Sequence, residues 1–205
     1  MIVHQLGLKS YAETQAAMQS FVELSDKNTP DEIWFVEHSP VYTQGAACNL
    51  TTLVKSDIPV VKSDRGGQIT YHGPGQIVMY VMLNLKRHGL GVKTLVDMLE
   101  QTMINLLASF DIAANRKAGA PGVFVDGAKI GALGLRFRKG FSYHGLSLNV
   151  DMDLSPFQNI DPCGYQGMPV TQIKDQLDDQ SHRAKKLSLN TVQRALYKEF
   201  SSLLG

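Results

Sequence analysis

A cysteine held between a proline and a glycine is the first feature of this chain that could do chemistry: Cys163, in Asp161-Pro162-Cys163-Gly164-Tyr165. A thiol there can attack a carbonyl once it becomes a thiolate. That requires a base or a cation to bring a pKa of about 8.5 toward neutrality. Three residues elsewhere are candidates. Lys129 is a single long charged side chain within a small, apolar run, Gly127-Ala128-Lys129-Ile130-Gly131-Ala132-Leu133-Gly134, whereas His72 or His144 would form an imidazole–thiol pair with Cys163. Separation along the chain does not choose among them. The second cysteine, Cys48, lies among small neighbours in Ala46-Ala47-Cys48-Asn49 and reads as an inert thiol.

The other chemical feature is backbone. Residues 65–76 read RGGQITYHGPGQ, with four glycines and a proline flanking polar side chains just ahead of an apolar run. Glycines remove the Cβ atoms that would block a ligand, leaving amide N–H groups, Arg65, Thr70 and His72 to orient a carbonyl or phosphate. The same composition also builds plain turns. The spacing matches neither the Walker nor the dinucleotide-binding pattern.

These residues need elements to hold them. Ser10-Tyr11-Ala12-Glu13 fits a capping box, and a first helix with the stripe Tyr11, Met18, Phe21 and Val22 should end near Asn28-Thr29-Pro30. Short β-type runs follow at Ile33–Glu37, Val41–Thr43 and Ile58–Val61. Ile77–Leu85 is almost wholly apolar, as suits a central strand covered on both faces. Val92, Leu95, Val96, Leu99, Met103, Leu106, Leu107 and Phe110 recur at three- and four-residue steps, the pattern of an amphipathic helix. From Gly122 to Asn149, breaks at Asp126-Gly127 and Lys139-Gly140 divide three β-like runs into an antiparallel meander. Residues 151–187 read as a long loop with a short helical turn, and a last helix buries Val192, Leu196, Phe200 and Leu203. The sum predicts one α+β domain over residues 1–205, built on a mixed β-sheet flanked by helices.

Composition narrows the function. Two cysteines without CxxC or Cys/His spacing exclude a disulfide framework and give no zinc pattern, so reduced thiols in a cytoplasmic protein are expected, with no metal and no cofactor. The start MIVHQLGLKSYAE has no secretory or transit signature, and no apolar run is long enough to span a membrane. A net charge of +1 offers no global field for nucleic acid.

Four segments in order, RGGQITYHGPGQ at 65–76, KIGALG at 129–134, YHGLSLNV at 143–150 and PCGY at 162–165, resemble the bacterial lipoyl(octanoyl) transferase family. The likeness runs from about Glu37 to about Ile173; the first helix and the tail from Asp175 to Leu187 add no motif. It implies the α+β fold shared with the catalytic domains of lipoate and biotin protein ligases, with Cys163 as nucleophile and Lys129 as its partner. Substrate contacts would fall on Arg65, Gly66, Gly67, Gln68, Ile69, Thr70, Tyr71 and His72, on Ala132, Leu133 and Gly134, and on Gly145, Leu146 and Ser147. The implied donor is octanoyl-acyl carrier protein. The implied acceptors are lipoyl domains of 2-oxoacid dehydrogenase complexes and the glycine cleavage H protein, served by a monomer.

On that reading the thiolate of Cys163 takes the octanoyl group as a thioester and hands it to a lysine, with Lys129 first giving and then removing a proton. Backbone N–H groups of the Gly-rich segment or of 132–134 would form the oxyanion hole. Arg136, Arg138 and Lys139 at a hairpin tip would meet an acidic carrier. Three alternatives stand beside it: an ATP-dependent ligase on the same fold, a non-catalytic acyl- or lipoyl-binding module, and a cysteine hydrolase using His72 or His144.

Overall fold

The computed structural model describes residues 1–48, 56–160, 168–178 and 187–205. Cys163, with the rest of its PCGY motif, lies outside the described residues, as does part of the tail at 179–186.

One strand buried on both faces organises the core. β6 (Gln76–Met82) is buried along its whole length, and it runs between β2 (Glu32–His38) and β10 (Phe141–Asn149) in a seven-stranded sheet. Successive side chains of a strand face opposite ways. Ile77, Met79 and Val81 therefore join the cluster under α2 (Val92–Ser109) and α3 (Leu189–Leu204), where Leu95, Leu99, Met103, Val192, Leu196 and Phe200 pack. Val78, Tyr80 and Met82 face Met18 and Val22 of α1 (Tyr11–Leu24) on the other side. This is the central strand that the apolar run predicts.

The sheet order is β1-β2-β6-β10-β9-β8-β7, with β1 at Ile2–Lys9, β7 at Asn115–Lys117, β8 at Ala120–Val125 and β9 at Ala128–Arg138. β1 and β2 are parallel while the remaining pairs are antiparallel, so the fold is α+β on a mixed sheet, with the meander forming one half. A second sheet, β4-β3-β5, joins Val60–Lys62, Val41–Gln44 and Ile69–His72 and packs Tyr42, Ile69 and Tyr71 against Met152, Phe157 and Ile160.

Several local features depart from the sequence expectation. Ser10 precedes α1 but makes no side-chain cap; instead the Thr14 hydroxyl and amide both donate to the Ser10 carbonyl. β1 and β7 are edge strands with mostly exposed residues, which left them no apolar signature. The Gly-rich run holds a strand, β5, in its middle. Among the described residues of 151–187 there are two short 3-10 turns, Ser155–Asn159 and Lys174–Gln176. Among the described residues no helix is long and apolar enough to cross a membrane.

Candidate functional site

Where β5 and the preceding loop lie over β9 and β10, a cavity of about 440 Å³ opens. That volume suits a small-molecule group. Its walls gather segments far apart in sequence: residues 65–70 and His72, Lys129, residues 132–134 and 145–147. Tyr71, alone of the substrate-contact residues named from the sequence, is not in the wall; its ring packs on Tyr42 and Phe157, at centroid distances of 5.6 and 5.5 Å. Strand alternation turns it from its neighbours Thr70 and His72.

The Gly-rich segment is fixed by Arg65. Its Nη2 donates to the Thr43 carbonyl at 2.6 Å and to Thr43 Oγ1 at 2.9 Å, while Nη1 donates to the Gly66 carbonyl at 2.9 Å. The Gly66 amide then donates to the Leu135 carbonyl at 3.0 Å, fastening the loop across β9. Gly145 must be glycine for a packing reason, because a Cβ there would lie 2.0 Å from the Met79 carbonyl on β6.

Lys129 is 4% exposed, in contrast to the usual solvated lysine. Its Nζ donates to the Pro121 carbonyl at 3.1 Å and lies 5.2 Å from the centre of the Phe124 ring. Both partners sit on β8, whose position is set in turn by Glu100 of α2: one carboxylate oxygen accepts from the Gly122 amide and the other from Arg116 Nε, each at 2.9 Å. On its other edge the Lys129 backbone pairs with the strand-like segment that follows the PCGY motif. The Lys129 amide donates to the Pro169 carbonyl at 2.8 Å, and the Thr171 amide donates to the Lys129 carbonyl at 3.0 Å. Ile160, the last described residue before the motif, is buried against the second sheet. Of the described residues near either end of that segment, Phe157 and Val170 line the cavity.

Polar aromatic groups form the remaining wall. His72 stacks on Tyr11 with centroids 5.8 Å apart and hydrogen-bonds Gln76 Oε1 through Nδ1 at 2.6 Å. Behind it, His38 hydrogen-bonds the Tyr80 hydroxyl at 2.7 Å. Burial is the main reason both imidazoles are hard to protonate: it holds His38 down at about 4, and, with the neighbouring His38 adding repulsion, His72 at about 3. Burial likewise lowers His144, against the opposing pull of Asp64.

His144 has φ +60°, rare for a residue with a side chain. The twist lets Tyr143 and His144, which a regular strand would send to opposite faces, reach the two oxygens of one carboxylate: Tyr143 donates to Asp64 Oδ2 at 2.5 Å, and His144 Nε2 lies 2.8 Å from Oδ1. Burial alone would raise the Asp64 carboxyl, but these two hydrogen bonds outweigh it and hold it well below the usual carboxylate range. Cys48 is half-buried beside the Tyr42 cluster, away from this wall.

Sequence reasoning missed Asp64, His38, Tyr80 and Glu100. Asp64 directly precedes the RGGQ segment and was recoverable from that position; Glu100 falls in the apolar stripe of α2 and gave no separate signal. At the hairpin tip, Arg138 and Lys139 are each 2.9 Å from a carboxylate oxygen of Glu23 on α1.

A sheet-bound cavity with apolar walls, a buried amine and uncharged imidazoles can hold an elongated apolar group by a polar reactive end, the arrangement of an acyl-handling α+β protein. The chain belongs to the family described as lipoyl protein ligase A/B catalytic domain, whose model matches residues 10–201. It is 58% identical to an octanoyltransferase of Erwinia tasmaniensis over 177 residues, covering 86% of this chain and 79% of the relative. It is 53% identical to an octanoyltransferase of Thiobacillus denitrificans over 199 residues, 96% of this chain and 91% of that one. Among solved structures it is similar to a bi-partite lipoate protein ligase from Thermoplasma acidophilum, with a TM-score of 0.77 at 16% identity, covering 98% of this chain and 82% of that one. That last likeness extends to the fold.

Proposed function

We propose that this chain is an octanoyltransferase of protein lipoylation. It takes an octanoyl group from octanoyl-acyl carrier protein onto Cys163 and passes it to a lysine of a lipoyl domain, as a single cytoplasmic domain without metal or cofactor. The observation that carries this reading is the buried side chain of Lys129, in the wall of an apolar cavity, with the segment that follows the PCGY motif hydrogen-bonded to its own backbone.

The proposed chemistry requires the Lys129 amine to act on the Cys163 thiol. The cation stabilises the Cys163 thiolate, which attacks the thioester carbonyl of the donor. When the tetrahedral intermediate collapses, the carrier's thiolate leaves and takes a proton from Lys129. Octanoyl-Cys163 and a neutral lysine remain. The amine of the acceptor lysine then attacks the new thioester, Lys129 accepts the proton that the amine loses, and Cys163 departs as the thiolate of the resting pair. No nucleotide is consumed, because the acyl group arrives activated and an amide is more stable than a thioester. Six buried methylenes would contribute about 5 kcal/mol to holding the chain. Amides of the Gly-rich segment or of 132–134 would serve the oxyanion.

An acidic carrier would dock at Arg136, Arg138 and Lys139. The ion pairs of the last two with Glu23 give the carrier a carboxylate to displace. An adenylate-forming ligase is the rival suggested by the structural relatives. The test is transfer from octanoyl-acyl carrier protein to an apo lipoyl domain with nucleotide removed by apyrase. Octanoylated domain is expected; formation only with free octanoate and ATP would assign the chain to the ligases.

A further inference from the structure

His72 and the acceptor amine. One buried chain of hydrogen bonds dictates which nitrogen of His72 carries a proton. It starts from two backbone carbonyls, which can only accept. The Thr171 carbonyl takes a bond from Asn149 Nδ2 at 2.9 Å, which turns Asn149 Oδ1 toward Gln76. Gln76 Nε2 donates to that oxygen at 2.9 Å and to the Tyr71 carbonyl at 3.3 Å, which leaves Gln76 Oε1 as the atom facing His72 at 2.6 Å. An amide oxygen cannot donate, so His72 Nδ1 must be the N–H. Gln76 and Asn149 are 1% and 5% exposed, so water does not compete for these bonds.

The consequence falls on the other ring nitrogen. Burial and the adjacent His38 hold His72 uncharged at neutral pH, and in the Nδ1–H tautomer Nε2 carries a lone pair. His72 also lines the cavity that contains Lys129.

We infer that Gln76 and Asn149 are positioning residues that lock His72 in its Nδ1–H tautomer, so that His72 Nε2 accepts an N–H of the incoming lysine amine and aims its lone pair at the acyl carbon. The inference rests on the transferase reading above. A weakly basic acceptor suits this task, because it orients the amine without taking its proton and leaves that transfer to Lys129. The same relay ends at Thr171, whose amide holds the Lys129 backbone, so one network aligns both groups that meet the acceptor.

The test combines a spectrum with a rate ratio. Long-range 1H–15N correlation on 15N-histidine-labelled enzyme at pH 7 is expected to show His72 with a protonated Nδ1 and an unprotonated Nε2. A protonated Nε2, alone or with Nδ1, overturns the inference. Gln76→Glu sets a carboxylate against Nδ1 and favours the doubly protonated ring, which replaces the Nε2 lone pair with an N–H. In single-turnover experiments this variant should lose about tenfold more in transfer to a lipoyl domain than in acylation by octanoyl-acyl carrier protein, the effect of one hydrogen bond. If it does not fold, His72→Phe, which keeps a ring against Tyr11, should show the same split. Equal losses in both half-reactions, or no loss, overturn the inference. An enzyme that takes up no octanoyl group overturns the transferase reading itself, and the His72 tautomer still decides the relay.

Discussion

The histidines of the cavity wall make stability depend on pH in a window where carboxylates are silent. His38 is fully buried and His72 is 6% exposed. Folding lowers them from 6.5 to about 4 and about 3. As pH falls, the unfolded chain therefore binds these protons first. Their contribution is complete above the unfolded value of about 6.5 and is lost as pH drops toward the folded values. At pH 5 the unfolded chain gains about 2 kcal/mol per histidine from protonation that the folded chain forgoes, about 4 kcal/mol for the pair. Asp64, held low in the folded state, adds its own loss only below the ordinary carboxylate range of about 4. Urea titrations at pH 7.5 and 5.0 should thus differ in midpoint by about 2 M for a slope of about 2 kcal/mol/M. His38→Gln should remove about half of the difference. Equal stabilities at the two pH values, within about 1 kcal/mol, would refute the claim that these imidazoles are buried and neutral.

Other outcomes follow from the same contacts. Gly122 has φ +131°, and a Cβ there would lie 2.6 Å from the Gly131 carbonyl and 3.3 Å from Lys129 Cε. Gly122→Ala should therefore lower Tm by about 3–10 °C and displace the lysine, with octanoyl transfer falling further than stability accounts for. Arg65→Lys loses the fork that holds Thr43 and Gly66, and should cost about 1–3 kcal/mol in urea unfolding while raising KM for the octanoyl donor. Arg136→Glu should raise KM for octanoyl-acyl carrier protein at low salt and leave KM for a small octanoyl thioester unchanged; an unchanged carrier KM removes the hairpin from the docking surface.

Elements with a strong apolar period were legible from the residues. The stripe of α2 and the run of β6 depend on burial that every turn or every residue repeats. β1 was not legible, because an edge strand parallel to β2 keeps most of its side chains in water and shows no alternation. β5 was hidden among glycines that read as a loop. At the site, the family resemblance carried by the motifs implied which segments meet, and residues 65–70, 129, 132–134 and 145–147 line one cavity. What spacing could not give is what each side chain faces. Tyr71 sits inside a motif yet packs away from the wall. Asp64 and His38 are part of the wall's hydrogen bonding through contacts of long sequence separation, and His144 reaches Asp64 only through a left-handed backbone that no composition signals.

The proposed thioester is tested most directly by intact mass spectrometry of the enzyme mixed with octanoyl-acyl carrier protein. One octanoyl group should appear on the wild-type chain and on Cys48→Ser, vanish from Cys163→Ser, and form far more slowly on Lys129→Ala with circular dichroism unchanged. An adduct that survives in Cys163→Ser, or transfer to a lipoyl domain that proceeds without Cys163, would contradict the mechanism.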